Sequence, residues 1–183
     1  MPDPLARGEF CWHLHRGPSI PETTHLPKPA HGAQGSRAAS DSPPEAILKA
    51  AAQTLDFTRP TAVILVAVLH FLADADDPAG VVAALAAALA PGSFVAISHL
   101  TADFAPEAVS SAVAAYNGLV PAGITARSHA EVTGLIGRLS LVAPGVVPVS
   151  EWRPDHAPLR AVSADVYAGL ATVPERSRSV TRP

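Results

Sequence analysis

The run Thr61 to Leu72, TAVILVAVLHFL, limits this chain more than any other stretch. It is well short of the roughly 20 apolar residues that a membrane-spanning helix needs. Val63 through Leu69 are apolar at every position, so a strand here has no polar face to give to water. That pattern belongs to a parallel strand with helices on both sides, and it predicts a strand at about 61–70 in an α/β fold.

The flanking residues extend this reading. Ser42-Pro43-Pro44-Glu45 joins a capping serine, proline at the first helical position and a glutamate three residues after the cap. It predicts a helix carrying the stripe Ile47, Ala51 and Leu55 and ending at Asp56 to Pro60. After the apolar run, Asp77 is the expected cap of a helix bearing Val81, Val82, Leu85 and Leu89, which Pro91-Gly92 stops. Phe94 to Ile97 form the next strand, so residues 61–99 read as a strand, helix, strand unit with a right-handed connection.

Two more helices are expected, one from Pro106 to about Tyr116 and one behind the capping box Ser128-His129-Ala130-Glu131, carrying Val132, Leu135, Ile136 and Leu139. Leu139 to Trp152 then reads as one long strand bent at Pro144-Gly145, with Asp165 to Val173 pairing antiparallel to it. The tail, 174–183, is polar and expected to be loose. Residues 1–42 contain many prolines and show neither helical nor strand period, so they are expected to be disordered. Their histidines His13, His15, His25 and His31 match no compact metal-ligand spacing. The domain expected is therefore 43–173.

Composition narrows the function. With 183 residues, 48% of them hydrophobic, the chain can bury a real core, and wholesale disorder is excluded. Thirteen basic against 16 acidic side chains leave a net charge of −3, which offers no field for a nucleic-acid backbone. The single cysteine, Cys11, excludes an intramolecular disulfide framework, and the N-terminus has no secretory pattern. The expected location is cytoplasmic, away from membranes.

Open α/β sheets bind ligands at the carboxyl ends of their strands. His70 leaves the first expected strand and His99 the second, which puts two imidazoles on one edge. A structural alternative has each simply bonding a loop carbonyl. A further reading makes His70, His99 and His129 a metal centre, with no carboxylate or cysteine spacing to support it. Asp74, Asp76 and Asp77 read as loop solvation and as charge favouring the next helix's N-terminus.

The words RPTAVILVAVLHF (59–71), DDP (76–78), PGS (91–93) and SHLTAD (98–103) stand in a long collinear series. Glu107-Ala108, Arg127-Ser128, Glu131-Val132, PGVVPV (144–149), WRPD (152–155) and Tyr167-Ala168-Gly169 continue it. Together they resemble the C-terminal half of a bacterial S-adenosylmethionine-dependent methyltransferase family, long catalogued as a domain of unknown function. The resemblance covers roughly residues 44–169. It implies the later part of a Rossmann-like methyltransferase sheet, with the strand at 61 as the fourth of seven and the seventh strand slotted between the fifth and sixth.

It also implies S-adenosylmethionine as cofactor and an unidentified small-molecule acceptor. Leu69 and His70 fall on the cofactor side, His99 and Thr101 on the acceptor side, and His70 or His99 is the candidate base. The family's glycine-rich turn and the acidic end of its second strand have no counterpart here, since Gly32 and Gly35 follow no apolar strand. The strand at 61–70 is then expected to be a sheet edge, open to pairing with a second copy. Two functions follow: an incomplete methyltransferase, or a non-catalytic remnant that associates through that edge.

Overall fold

The computed structural model describes residues 13–16, 43–154 and 165–175. One open sheet of β-strands is packed on α-helices. The elements are β1 (His13–Arg16), α1 (Pro44–Ala51), β2 (Thr61–Leu65), α2 (Pro78–Ala87) and β3 (Phe94–Leu100). They continue with α3 (Pro106–Leu119), α4 (His129–Ile136), β4 (Ser140–Leu141), β5 (Val147–Pro148) and β6 (Val166–Thr172). The sheet runs β1-β2-β3-β6-β4, with β5 also paired to β6. No helix among the described residues is long and apolar enough to cross a membrane.

The predicted strand, helix, strand unit is present. β2 and β3 are parallel, with Val63 opposite Val95 and Leu65 opposite Ile97. α2 connects them, capped by Asp77, whose carboxylate accepts from the Gly80 N–H at 3.0 Å. β6 lies antiparallel between β3 and the short pair β4 and β5, the arrangement expected for the last strands.

The strand expected at 61–70 ends at Leu65. Val66 is 57% exposed, Ala67 adopts φ 54°, and Leu69–Phe71 form a single 3-10 turn. Val68 and Leu69 are nonetheless buried, so the same apolar run feeds the core first as strand and then as turn. Periodicity cannot separate those two uses of a short apolar stretch. Burial within β2 also alternates, with Thr61, Val63 and Leu65 inside and Ala62 and Ile64 half-buried.

Nor is β2 the sheet's edge. His13–Arg16 pairs antiparallel with it, His13 opposite Ile64 and Arg16 opposite Thr61, so β1 takes the backbone groups expected to stand free. This short strand falls within the segment 1–42 that is expected to be largely disordered, and the rest of that segment lies outside the described residues. Ser42, His25, His31 and the tail after Glu175 lie outside the described residues. α1 stops at Ala51 and α4 at Ile136, each short of its expected end, the latter with Gly137 at φ 60° closing the helix. The long strand expected at 139–152 is two dipeptide strands separated by Pro144 and by Gly145 at φ 96°.

The core forms where Val63, Leu65, Val95, Ile97 and Ala171 of the sheet meet Val82, Leu85 and Leu89 from α2 and its end, and Val132, Leu135 and Ile136 of α4. α1 packs beside α2 through partly buried Leu48. α3 is different: among its residues only Val109 is buried. At Gly169 of β6, α4 and the 144–148 loop approach the sheet closely. A Cβ there would stand 3.1 Å from Val146 and 3.2 Å from Ile136.

Leu85→Ala should therefore cost about 2–5 kcal/mol in urea denaturation, and Gly169→Val, by overpacking, about 1–3 kcal/mol. Val66→Ala, at an exposed position, should stay within about 0.5 kcal/mol of the parent.

Candidate functional site at the ends of two parallel strands

The carboxyl ends of β2 and β3 are bridged by the segment that returns from α3. The Thr125 N–H donates to the His70 carbonyl at 2.7 Å, and the Arg127 N–H donates to the Leu100 carbonyl at 3.0 Å. Asn117, near the end of α3, anchors the start of this segment by bonding both backbone groups of Ile124, at 2.7 and 3.0 Å. Each strand exit is thus stitched to the same short stretch of chain.

Beneath the bridge, Arg127 is 4% exposed. Its Nη1 donates to the Leu69 carbonyl at 3.3 Å and to His99 Nε2 at 2.9 Å. Nη2 donates to the Leu72 carbonyl at 2.9 Å and to Asp74 Oδ1 at 2.6 Å, and Nε reaches the same oxygen at 3.2 Å. The planar fork therefore ties the loop after β2 to the side chain that leaves β3.

His99 is fully buried, and its partners fix its proton. Nδ1 lies 2.8 Å from the Leu100 carbonyl, which can only accept, so Nδ1 carries the hydrogen. Nε2 is left bare to accept from Arg127, whose guanidinium can only donate. The ring is neutral. Burial above all, and then the Arg127 charge, holds its pKa below the usual histidine value, against the opposing bond to Leu100.

His70 stands next to it, with ring centroids 5.9 Å apart and the rings nearly perpendicular, and it also packs on Phe71 at 4.5 Å. Burial first, then His99 and Arg127, lowers its pKa to about 4. His70 Nδ1 is buried with no hydrogen-bond partner among the described residues. A buried polar atom of this kind calls for a partner that the described residues do not supply.

Thr101 and Leu69 are both fully buried. The Thr101 N–H donates to the Asp165 carbonyl at 2.9 Å, and its Oγ1 accepts from the Asp103 N–H at 3.1 Å. Asp103 Oδ2 in turn accepts from the His129 N–H at 2.8 Å and the Tyr167 hydroxyl at 3.0 Å. The Tyr167 ring packs against those of Phe104 and His129, and burial followed by the Asp103 carboxylate raises its pKa.

The structure thus brings His70, His99 and Leu69 together around Arg127 and places Thr101 in an adjoining network. The His129 ring nitrogen Nε2 lies 2.9 Å from the Val146 carbonyl, while His99 spends both nitrogens on Leu100 and Arg127. The three-histidine metal centre does not assemble, and among the described residues no three histidine, cysteine or acidic side chains are grouped to hold a metal. Arg127, Asp103 and Tyr167 stand among the residues that carry the family resemblance, but sequence reasoning gives them no role in the site, because each acts through long-range contacts that leave no periodic trace. Asp74, read as a loop-solvating charge, is 84% exposed and still pairs with Arg127.

The chain matches the model of the S-adenosyl methyltransferase family over residues 30–174, and it belongs to that family. Among solved structures it is similar to a DUF574 family protein from Streptomyces avermitilis, at 37% identity and a TM-score of 0.66, covering 72% of this chain and 52% of that one. It is also similar to a protein from Thermobifida fusca provisionally named a methyltransferase, at 32% identity and a TM-score of 0.64, covering 73% and 51%. The chain spans about half the length of these solved structures. No curated protein matches it.

The two lowered histidine pKa values set a direction for stability. An unfolded histidine takes up a proton near pH 6.5, whereas folded His70 does so only near 4. Between those values the unfolded chain binds more protons, so stability falls as pH is lowered from about 6.5 to about 4. The melting temperature should decline through that window in the parent and decline less in His70→Gln, as read by circular dichroism.

Proposed function

We propose that this chain takes part in methyl transfer from S-adenosylmethionine to a small-molecule acceptor, with the joint end of β2 and β3 as its share of the site. The observation that carries the reading is the buried Nδ1 of His70 at the strand exit, which has no hydrogen-bond partner among the described residues, in a chain of this family. The bound cofactor supplies the chemistry, an activated methyl group on a sulfonium. The described residues fit one flank of such a molecule. A glycine-rich turn and an acidic strand end, which the family resemblance places on the other flank, are not among them.

On this reading the chain's own residues orient and exclude water. His70 stays neutral at physiological pH and offers Nδ1 to a polar group of the cofactor or acceptor. With its pKa near 4 it is suited to accepting a hydrogen bond more than to holding a proton. Leu69, next to it in the chain, is fully buried. His99 and Thr101, both fully buried, support the acceptor side, His99 through Arg127 and Thr101 through Asp103. An acidic chain with one cysteine is consistent with work in the cytoplasm.

A second reading is a non-catalytic interaction module that associates through the strand expected at 61–70. Association through residues 61–70 requires displacement of β1, which occupies the outer side of β2.

A thermal melt with S-adenosylhomocysteine, the product form of the cofactor, separates the two. The methyltransferase reading expects a cooperative transition that moves upward, equivalent to about 2.7 kcal/mol at a hundredfold excess over the dissociation constant. His70→Ala should remove most of that shift. A cooperative transition that the compound leaves in place supports the interaction module.

A further inference from the structure

Buried guanidinium groups are costly to desolvate, and one tied to a single solvated carboxylate is a poor way to gain stability. Among the described residues Asp74 is the one carboxylate within ion-pair distance of Arg127, and it is 84% exposed. The other three acceptors are the Leu69 and Leu72 carbonyls and the bare nitrogen of His99. Two carbonyls and a carboxylate belong to the loop that carries His70. The imidazole belongs to the strand that faces it. One planar group thus fixes the spacing of both sides of the strand-end wall.

We propose that Arg127 is the positioning residue of this site, holding the 69–74 loop and the His99 ring in a fixed relation that sets where His70 presents its Nδ1, an atom with no partner among the described residues. The inference rests on the methyltransferase reading for its purpose and on the geometry for its content. Lysine cannot replace the fork, because a single ammonium reaches at most part of an acceptor set spread over five contacts. Arg127 touches neither cofactor nor acceptor in this scheme. It acts on them through His70 and His99.

The test compares the parent with Arg127→Met and Arg127→Lys by nuclear magnetic resonance titration of the histidine rings, beside melts with S-adenosylhomocysteine. Loss of the charge and of the donor to Nε2 should move the midpoints of both His70 and His99 upward, by about one pH unit. Arg127→Lys, which keeps the charge, should move them less while still weakening the ligand-induced shift. A fall in melting temperature with both midpoints unchanged would assign Arg127 a purely structural role and overturn the proposal.

If Arg127→Met does not melt cooperatively, Asp74→Ala decides, since it removes an exposed partner. Faster amide exchange at residues 72–76 with an unchanged melting temperature supports the positioning role, and unchanged exchange overturns it. The parent's response to S-adenosylhomocysteine is read separately. If it is absent while the ring midpoints move as expected, the function assigned to the site fails and the role of Arg127 stands.

Discussion

Pairing along both sides of β3 is the constraint on which the rest of the molecule depends. One side carries parallel β2 and the other antiparallel β6 over seven residues of register. Two buried serines fasten its neighbour at both ends. Ser93, just before β3, accepts from the Thr61 N–H at 3.0 Å, and Ser98 within it accepts from the Ala67 N–H at 2.9 Å. The second bond meets the chain where Ala67 turns at φ 54° out of the strand. The departure of β2 from the sheet is therefore set by β3, and with it the position of His70.

From that frame the electrostatics follow. Two neutral imidazoles sit beside a permanent positive charge, and all three groups are partly or wholly withdrawn from water. A protonated histidine in this place would face both desolvation and like charge, so each ring is kept as an acceptor or a committed donor. The neighbouring network of Thr101, Asp103, Tyr167 and the His129 backbone extends the same principle from β3 to β6 and α4. Its polar atoms are satisfied by one another, which lets a carboxylate stand beside a buried phenol.

Much of this was legible in the residues. The apolar run at 61–72, the Asp77 cap and the Ser128 capping box marked β2, α2 and α4, because short-range patterning and caps are local physics. That His70 and His99 come close together was also readable, since parallel neighbours put their carboxyl ends together, although His70 stands in the turn after β2 and not at its end. The end of β2 at Leu65 was not, because Val68 and Leu69 are as buried in a turn as they would be in a strand. Nor was β1, a four-residue strand whose partner lies nearly fifty positions away. Arg127 was hidden for the same reason: its meaning is spread over Leu69, Leu72, Asp74 and His99, none of them near it in sequence.

α3 stands apart from this tightly determined frame. It is fourteen residues long, buries only Val109, and is attached near its C-terminal end by Asn117 and by the Tyr116 ring lying 6.3 Å from Phe71. A helix anchored this way can accumulate substitutions along its open faces without creating a cavity or stranding a polar group. Divergence in what approaches the strand-end wall can then proceed on α3 alone, while the residues that hold His70 and His99 stay as they are. The fold separates a part free to drift from a part that is not, and the boundary between them runs through Asn117.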